Sequence, residues 1–422
     1  MGWIEGELAK KLRVLGRGST KPSPAAQASV LDGAVLVMDA ANLLVIATQK
    51  SEVCREQHAV PSAPATSVTT YLIDWYKAWK FKDRNTLVIF VVDQKRFGLK
   101  EKVTRAERDK GKEEAEKLIT AIRKKGDHND LDLLEKQYKK LARVDADVIH
   151  HFLEWVKSEP RCVALGAWCE ADPLLVSLSW QLGACKLDTR PVLIGSLDSD
   201  MLPFGATCPI LMGLNMNGKS AATVKLGSTN SPTLDALTTF GYQVLASFSG
   251  CDFSPRLATI GGGSKGGCAR ALALTTEYVK GSDAERKELL RKLETEERWE
   301  SEAVAERAAA RVLSAGGGGK KKKKKKRKRK VGAAGFARGF ERTLQVWRHY
   351  PTFMLTAPRG KSLLTSIFDG SFKVTLVPLT SLSPRRTTMA SLFGDCCEMP
   401  HGGASGHVVQ AMAKLQTWRG SV

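Results

Sequence analysis

Short apolar runs along the chain repeatedly end on a carboxylate. AVLVMDA reaches Asp39, and TLVIFVVD reaches Asp93. These runs, at 34–39 and 86–93, predict two strands, with a helical stretch between them at 67–81 (SVTTYLIDWYKAWKF). Strand signals return at 162–167 and 191–197. The intervening span, 100–157, is charged and lacks strand signals. Its segments 102–125 and 131–156 both show helical periodicity. CPILMGLNMNGK predicts a β-hairpin around an Asn-Gly turn. ATIGGGSKGGCARALAL reads as a Gly-rich turn that opens a helix. Residues 282–313 predict a long charged helix, with Ser282 as N-cap and Arg286 rather than Glu where a capping box needs its acid. Residues 15–30, rich in Gly, Ser and Pro, read as a loop. The Ser, Thr and Gly content of 354–422 predicts a poorly ordered tail.

More acids lie close behind the later strand signals. Glu170 and Asp172 sit in CEADPLLVSLS, Asp198 and Asp200 in VLIGSLDSDMLPFG, and Asp252 in FSGCDFSP. Each acid alone reads as a helix cap or turn residue. Together they read differently, because open α/β sheets bind ligands at the carboxyl ends of their strands. Seven acids converging there would repel one another unless cations neutralised them. Asp198 and Asp200 lie two residues apart, so in extended backbone both point to one face. The histidines offer no competing ligand set, and His150-His151 falls in a helical stretch where a surface position is expected.

Charge gives this acidic set its context. The formal net charge is +21. Eleven contiguous cations follow GGGG: Lys320, Lys321, Lys322, Lys323, Lys324, Lys325, Lys326, Arg327, Lys328, Arg329 and Lys330. Without these eleven the rest of the chain still sums to +10, so the basic balance is general. An acidic cluster inside a basic chain points to divalent metals acting on a polyanion, most simply a nucleic acid. The cationic run is expected to be disordered, and reads as a nuclear localisation signal, a non-specific DNA tether or solvated low complexity.

Composition narrows the class further. A hydrophobic content of 43% supports a real core, and 422 residues allow one large α/β domain with extensions or two to three domains. No run of eighteen apolar residues is present, so no transmembrane helix is expected. The start lacks the apolar stretch of a secretory signal, and Gly6 breaks the myristoylation pattern. The nine cysteines include no Cys-x-x-Cys pair and no zinc-finger spacing, which fits reduced thiols in an intracellular protein.

The order and neighbourhoods of the acids resemble one family: the flap endonuclease, exonuclease-1 and XPG group of structure-specific 5′ nucleases. The exonuclease-1 branch, with motifs near YEADAQLAYL, EDSDLLAFG and GCDYLPSLRGIG, is most similar. Here they read WCEADPLLVSL, LDSDMLPFG and GCDFSPRLATIG. The resemblance runs from Met1-Gly2 to about Phe353. It implies an α/β, PIN-like 5′ nuclease domain over 1–353, with a mainly parallel central sheet flanked by helices. Within it would lie an N-terminal region at about 1–110, a helical arch at about 100–157 and an internal nuclease region at about 160–250. A helix–two-turn–helix element at about 252–280 and the Lys-rich insertion at 320–330 would follow.

The same resemblance implies two Mg²⁺ ions, with Mn²⁺ as a substitute, held by Asp39, Asp93, Glu170, Asp172, Asp198, Asp200 and Asp252. K⁺ would bind the helix–two-turn–helix element, where Ser249, Ile260, Gly261, Gly262, Gly263 and Lys265 would grip DNA. Lys100 matches the family's arch lysine. The matching arginine position holds Glu107, leaving Arg108 or Arg105 for that role. Val45 replaces a stacking aromatic or His, Leu197 a Glu, and Arg256 a small residue near the cation site.

The implied activity is 5′→3′ exonuclease and flap cleavage of DNA in repair, replication or recombination, by a nuclear monomer. A flap endonuclease proper, or a non-catalytic nucleic-acid-binding regulator, are the alternatives, and RNA is a further candidate substrate. RTTMASLF (Arg386 to Phe393) is vaguely similar to a sliding-clamp box, with Arg where Gln belongs; chance explains it better.

Overall fold

The computed structural model describes residues 29–50, 65–94, 98–125, 131–141, 144–184, 188–196, 198, 200–212, 214, 222–224, 234, 236–251, 253, 267–295, 336–379 and 417–419. Four of its apolar runs form the middle of a sheet: β1 (Val35–Asp39), β2 (Leu87–Val92), β3 (Cys162–Gly166) and β4 (Val192–Gly195). Three short strands extend it: β5 (Ile210–Met212), β6 (Ala222–Val224) and β9 (Thr417–Arg419). The order is β6-β5-β4-β1-β2-β3-β9, with β5 to β3 parallel and the outermost strands antiparallel. The fold class is therefore α/β with a mostly parallel sheet. β5 and β6 pair as the hairpin pattern predicts, while the Asn-Gly turn lies outside the described residues.

The runs lack polar alternation because helices cover both faces. Val35, Val37, Ile89, Val91, Val163 and Leu165 point into one core, against α6 (Ala171–Gly183), α8 (Thr239–Ser249) and α11 (Phe336–His349). Leu36, Met38, Val88, Phe90 and Ala164 point into the other, against α1 (Ala40–Lys50), α2 (Ala65–Ala78) and α5 (Ala146–Ser158). Successive strand residues thus serve opposite layers, as the two-residue period requires.

Several local outcomes differ from the sequence pattern. Helix α1 begins directly after Asp39, where no helix was expected, and buries Leu43, Leu44 and Ala47. The stretch 131–156 is two helices, α4 (Leu131–Leu141) and α5, because Asp145 caps α5 by accepting from Val148 N at 2.9 Å. Helix α5 belongs to the core layer, with Val148, Phe152 and Val156 buried. The rest of this span is α3 (Gly98–Lys125) packed against α4, with Ala115, Ile119 and Ile122 of α3 buried.

A capping box does form at Ser282. Its N–H donates to Glu285 Oε2 at 2.7 Å, and Glu285 N donates to Ser282 Oγ at 3.4 Å. The helix starts at Asp283, so Glu285, not Arg286, holds the reciprocal position. Arg286 instead caps the end of α9 (Gly267–Lys280), donating to Tyr278 O and Val279 O at 2.8 and 3.1 Å. The helix that follows, α10, is described over 283–295.

The tail expectation is also overturned over 354–379. There β7 (Pro351–Thr356), α12 (Leu363–Asp369) and β8 (Lys373–Pro378) form an antiparallel hairpin with a helical connection. Phe353, Leu355, Leu364 and Ile367 join the core, which outweighs the segment's polar composition. Gln181 of α6 completes β7: its Oε1 accepts from Leu355 N at 2.7 Å, and its Nε2 donates to Phe353 O at 3.3 Å. Farther on, 417–419 pairs with β3 as β9. Among the described residues no helix is long and apolar enough to cross a membrane.

Candidate metal centre at the sheet edge

Because β4, β1, β2 and β3 are neighbours and parallel, their carboxyl ends share one edge. Every one delivers an acid there. Asp39 is the last residue of β1 and is buried; Asn42 donates to it through its backbone N at 3.1 Å and through its side-chain amide. Asp93 follows β2 and accepts from Ala171 N at 2.6 Å. Glu170 and Asp172, both buried, open α6 after β3.

Asp198 and Asp200 follow β4, which ends at Gly195, so the extended arrangement expected for them is replaced by a turn. Ser196 Oγ accepts from Asp198 N at 3.1 Å, and Asp198 Oδ1 accepts from Asp200 N at 3.2 Å. Asp200 has helical backbone angles and opens the short helix α7 (Met201–Phe204). Its side chain is held in a residue only 1% exposed.

Carboxylate oxygens of Asp172, Asp198 and Asp200 lie within 4.8 Å of one another. Three ionised carboxylates this close, two of them buried, repel strongly. The donor set is all oxygen, which suits a hard divalent cation such as Mg²⁺, and the residues present therefore fit the metal that the motifs imply. Asp39, Asp93 and Glu170 stand along the same edge but outside this close trio.

The other expected site residues are placed as follows. Asp252, Ile260, Gly261, Gly262, Gly263, Lys265 and the Lys320–Lys330 run lie outside the described residues. Lys100 and Arg108 lie on the backbone of α3, and their side chains are outside the described set. Ser249 ends α8 and is buried. Val45 is exposed on α1.

An aromatic group behind the acids is absent from the motif-based expectations. Trp347 of α11 meets Phe204 at 4.6 Å and Phe253 at 4.8 Å, both edge-on, and Tyr350 adds to the group. Phe204 ends the helix that Asp200 opens, and Phe253 follows Asp252 in sequence. Trp180 Nε1 donates to Gly205 O at 3.0 Å and Gln243 Nε2 to Pro203 O at 3.0 Å, fixing the same helix. The signal available in the sequence was the aromatic spacing of FARGFERTLQVWRHYPTF.

No family model and no curated protein matches the chain. Solved structures do. The catalytic core of Rad2 in complex with DNA substrate is similar at 17% identity and a TM-score of 0.41, over 60% of this chain and 64% of that one. Human GEN1 in complex with Holliday junction DNA is similar at 14% identity and a TM-score of 0.37, over 76% and 62%. The bacteriophage T5 D15 flap endonuclease, a complex with DNA and metal ions, is similar at 12% identity and a TM-score of 0.33, over 58% and 75%. The chain thus spans just under two thirds of the Rad2 core. These structures fall in the XPG and flap-endonuclease group of 5′ nucleases that the motifs resemble, at low identity.

Proposed function

We propose that the chain is a divalent-metal-dependent, structure-specific 5′ nuclease that hydrolyses DNA phosphodiester bonds at free 5′ ends, flaps, nicks or gaps. The observation that carries this reading is the convergence of Asp172, Asp198 and Asp200 within 4.8 Å at the carboxyl edge of a parallel sheet. These three would hold the cation, with Asp39 and Glu170 beside them on the same edge. Bound there, a pair of divalent ions would supply charge neutralisation on the phosphate, activation of a water nucleophile and help for the leaving oxygen.

The chain's own groups account for the rest. The sheet edge holds the acids before substrate arrives, so little reorganisation accompanies binding. The general positive charge, +10 even without the lysine run, draws a polyanion to an otherwise acidic site. By motif resemblance, Lys100 and Arg108 would face the scissile phosphate. The lysine run would serve nuclear entry or DNA tethering, and by the same resemblance the activity would belong to DNA repair, replication or recombination.

The test is cleavage of a 5′-labelled flap substrate with Mg²⁺, Mn²⁺ or chelator. Mononucleotides from a recessed 5′ end identify an exonuclease, and a released flap identifies an endonuclease. Tight DNA binding without cleavage in either metal would overturn the reading in favour of a nucleic-acid-binding regulator.

A further inference from the structure

Asp172 meets Asp198 and Asp200 although the strands that deliver them, β3 and β4, are separated by β1 and β2. Three inter-strand steps put those strand ends roughly 14 Å apart. Residues 167–170 and the start of α6 must therefore carry the chain back over β2, and α6 packs on β1, β2 and β4. Asp93 stands at the end of β2, in the path of that crossing.

The crossing is tied there at two points. Gln94 N donates to Cys169 O at 3.1 Å, and Asp93 Oδ1 accepts from Ala171 N at 2.6 Å. The Gln94 side chain fills the space beside Gly166, where a Cβ would fall 2.2 Å from its Nε2. Glu170, in the N-cap position of α6, makes no side-chain cap bond, and Pro173 has no N–H to offer. The first amide of α6 is thus satisfied from another strand, by a negative charge that the helix dipole favours.

We propose that Asp93 is a positioning residue: its carboxylate caps α6 from β2 and thereby sets Asp172 against Asp198 and Asp200. Asp172 is the residue immediately after the capped amide. Any drift of Ala171 away from β2 would move Asp172 toward its own strand and open the trio. The inference rests on reading the trio as a metal site, and the sequence motifs alone had grouped Asp93 with the ligands.

Two substitutions separate the roles. Asp93→Asn keeps an oxygen that accepts from Ala171 N and removes the charge, whereas Asp93→Ala removes both. Backbone amide exchange across 168–175 is followed by mass spectrometry on metal-free protein, and Mn²⁺ affinity is measured by calorimetry. For a positioning role, Asp93→Ala accelerates exchange and weakens Mn²⁺ by about tenfold or more, the scale seen when a residue that orients a ligand is lost. Asp93→Asn keeps near-native exchange and most of the affinity. Equal loss of affinity in both variants, with native exchange in both, overturns the proposal and makes Asp93 a ligand.

If Asp93→Ala does not fold, Asp93→Asn decides alone: affinity as low as that of Asp198→Asn overturns the proposal, and near-native affinity and exchange support it. If native protein binds no Mn²⁺, the metal-site reading fails, while the exchange comparison still tests the cap.

Discussion

The acid-bearing sheet edge and the α3–α4 hairpin both carry dense charge, but they hold it in opposite ways. At the edge, Asp39, Glu170, Asp172 and Asp200 are buried, and each is delivered by the end of a strand or the start of a helix packed on it. Backbone amides help to fix the geometry: Asn42 N donates to Asp39, Ala171 N to Asp93 and Asp200 N to Asp198. On α3 most of the described charges are exposed, and two pairs run along the helix itself, Lys110 with Glu114 and Lys117 with Glu113. Such pairs are nearly neutral for stability. The contrast teaches that charge on the edge is buried and held by packed elements, while charge on the hairpin is largely a solvated surface that can vary.

The largest effect that would test this contrast is expected at the trio. Asp200→Asn should lower Mg²⁺-dependent cleavage by about 10³-fold, since several kcal/mol of Lewis-acid stabilisation would go at 1.36 kcal/mol per factor of ten. Metal-free thermal stability should hold or rise, because a repelling charge is removed. Normal cleavage by this variant would dissolve the distinction between the two regions.

Next in size is the support behind the edge. Trp347 is fully buried against Phe204 and Phe253, and Trp347→Ala should cost about 3–5 kcal/mol in denaturant unfolding. A loss below about 1 kcal/mol would mean that the aromatic group does not brace α7.

A smaller effect concerns acid. Burial, with Arg348 beside it, holds the His349 imidazole below its ordinary value. Its folded value is thus depressed, so the stability it contributes is complete above the ordinary pKa of about 6.5 and is lost as pH falls toward the folded value. Melting temperature should decline from pH 7 to pH 5 in the native chain and decline less in His349→Gln. Parallel pH profiles would remove His349 as the cause.

Smallest of all, Lys117→Ala should change unfolding stability by less than about 0.5 kcal/mol. A loss of 2 kcal/mol or more would show that the hairpin's charges are as fixed as those of the edge.

Much of the sheet was legible because strands covered on both faces read as unbroken apolar runs, and the acids stood out by ending them. What was missed depended on contacts distant in sequence. Helix α1 continues the apolar run of β1, and only packing on α2 and β2 separates helix from strand there. The order of 351–379 comes from Phe353 and Leu355 entering a core built by residues far upstream. Asp93 reads as one more acid after a strand; its bond to Ala171 crosses 78 positions of sequence and no local pattern announces it.

The Gln181 amide has a consequence for how this protein meets other chains. A bare β7 edge would present the N–H of Leu355 and the carbonyl of Phe353 to any passing extended segment, the template on which strands from separate molecules stack. Gln181 occupies both groups with a side chain that ends where a strand would continue. Growth of the two-stranded sheet on that side is therefore terminated within the fold itself, by one amide mimicking a single peptide unit and offering no next one.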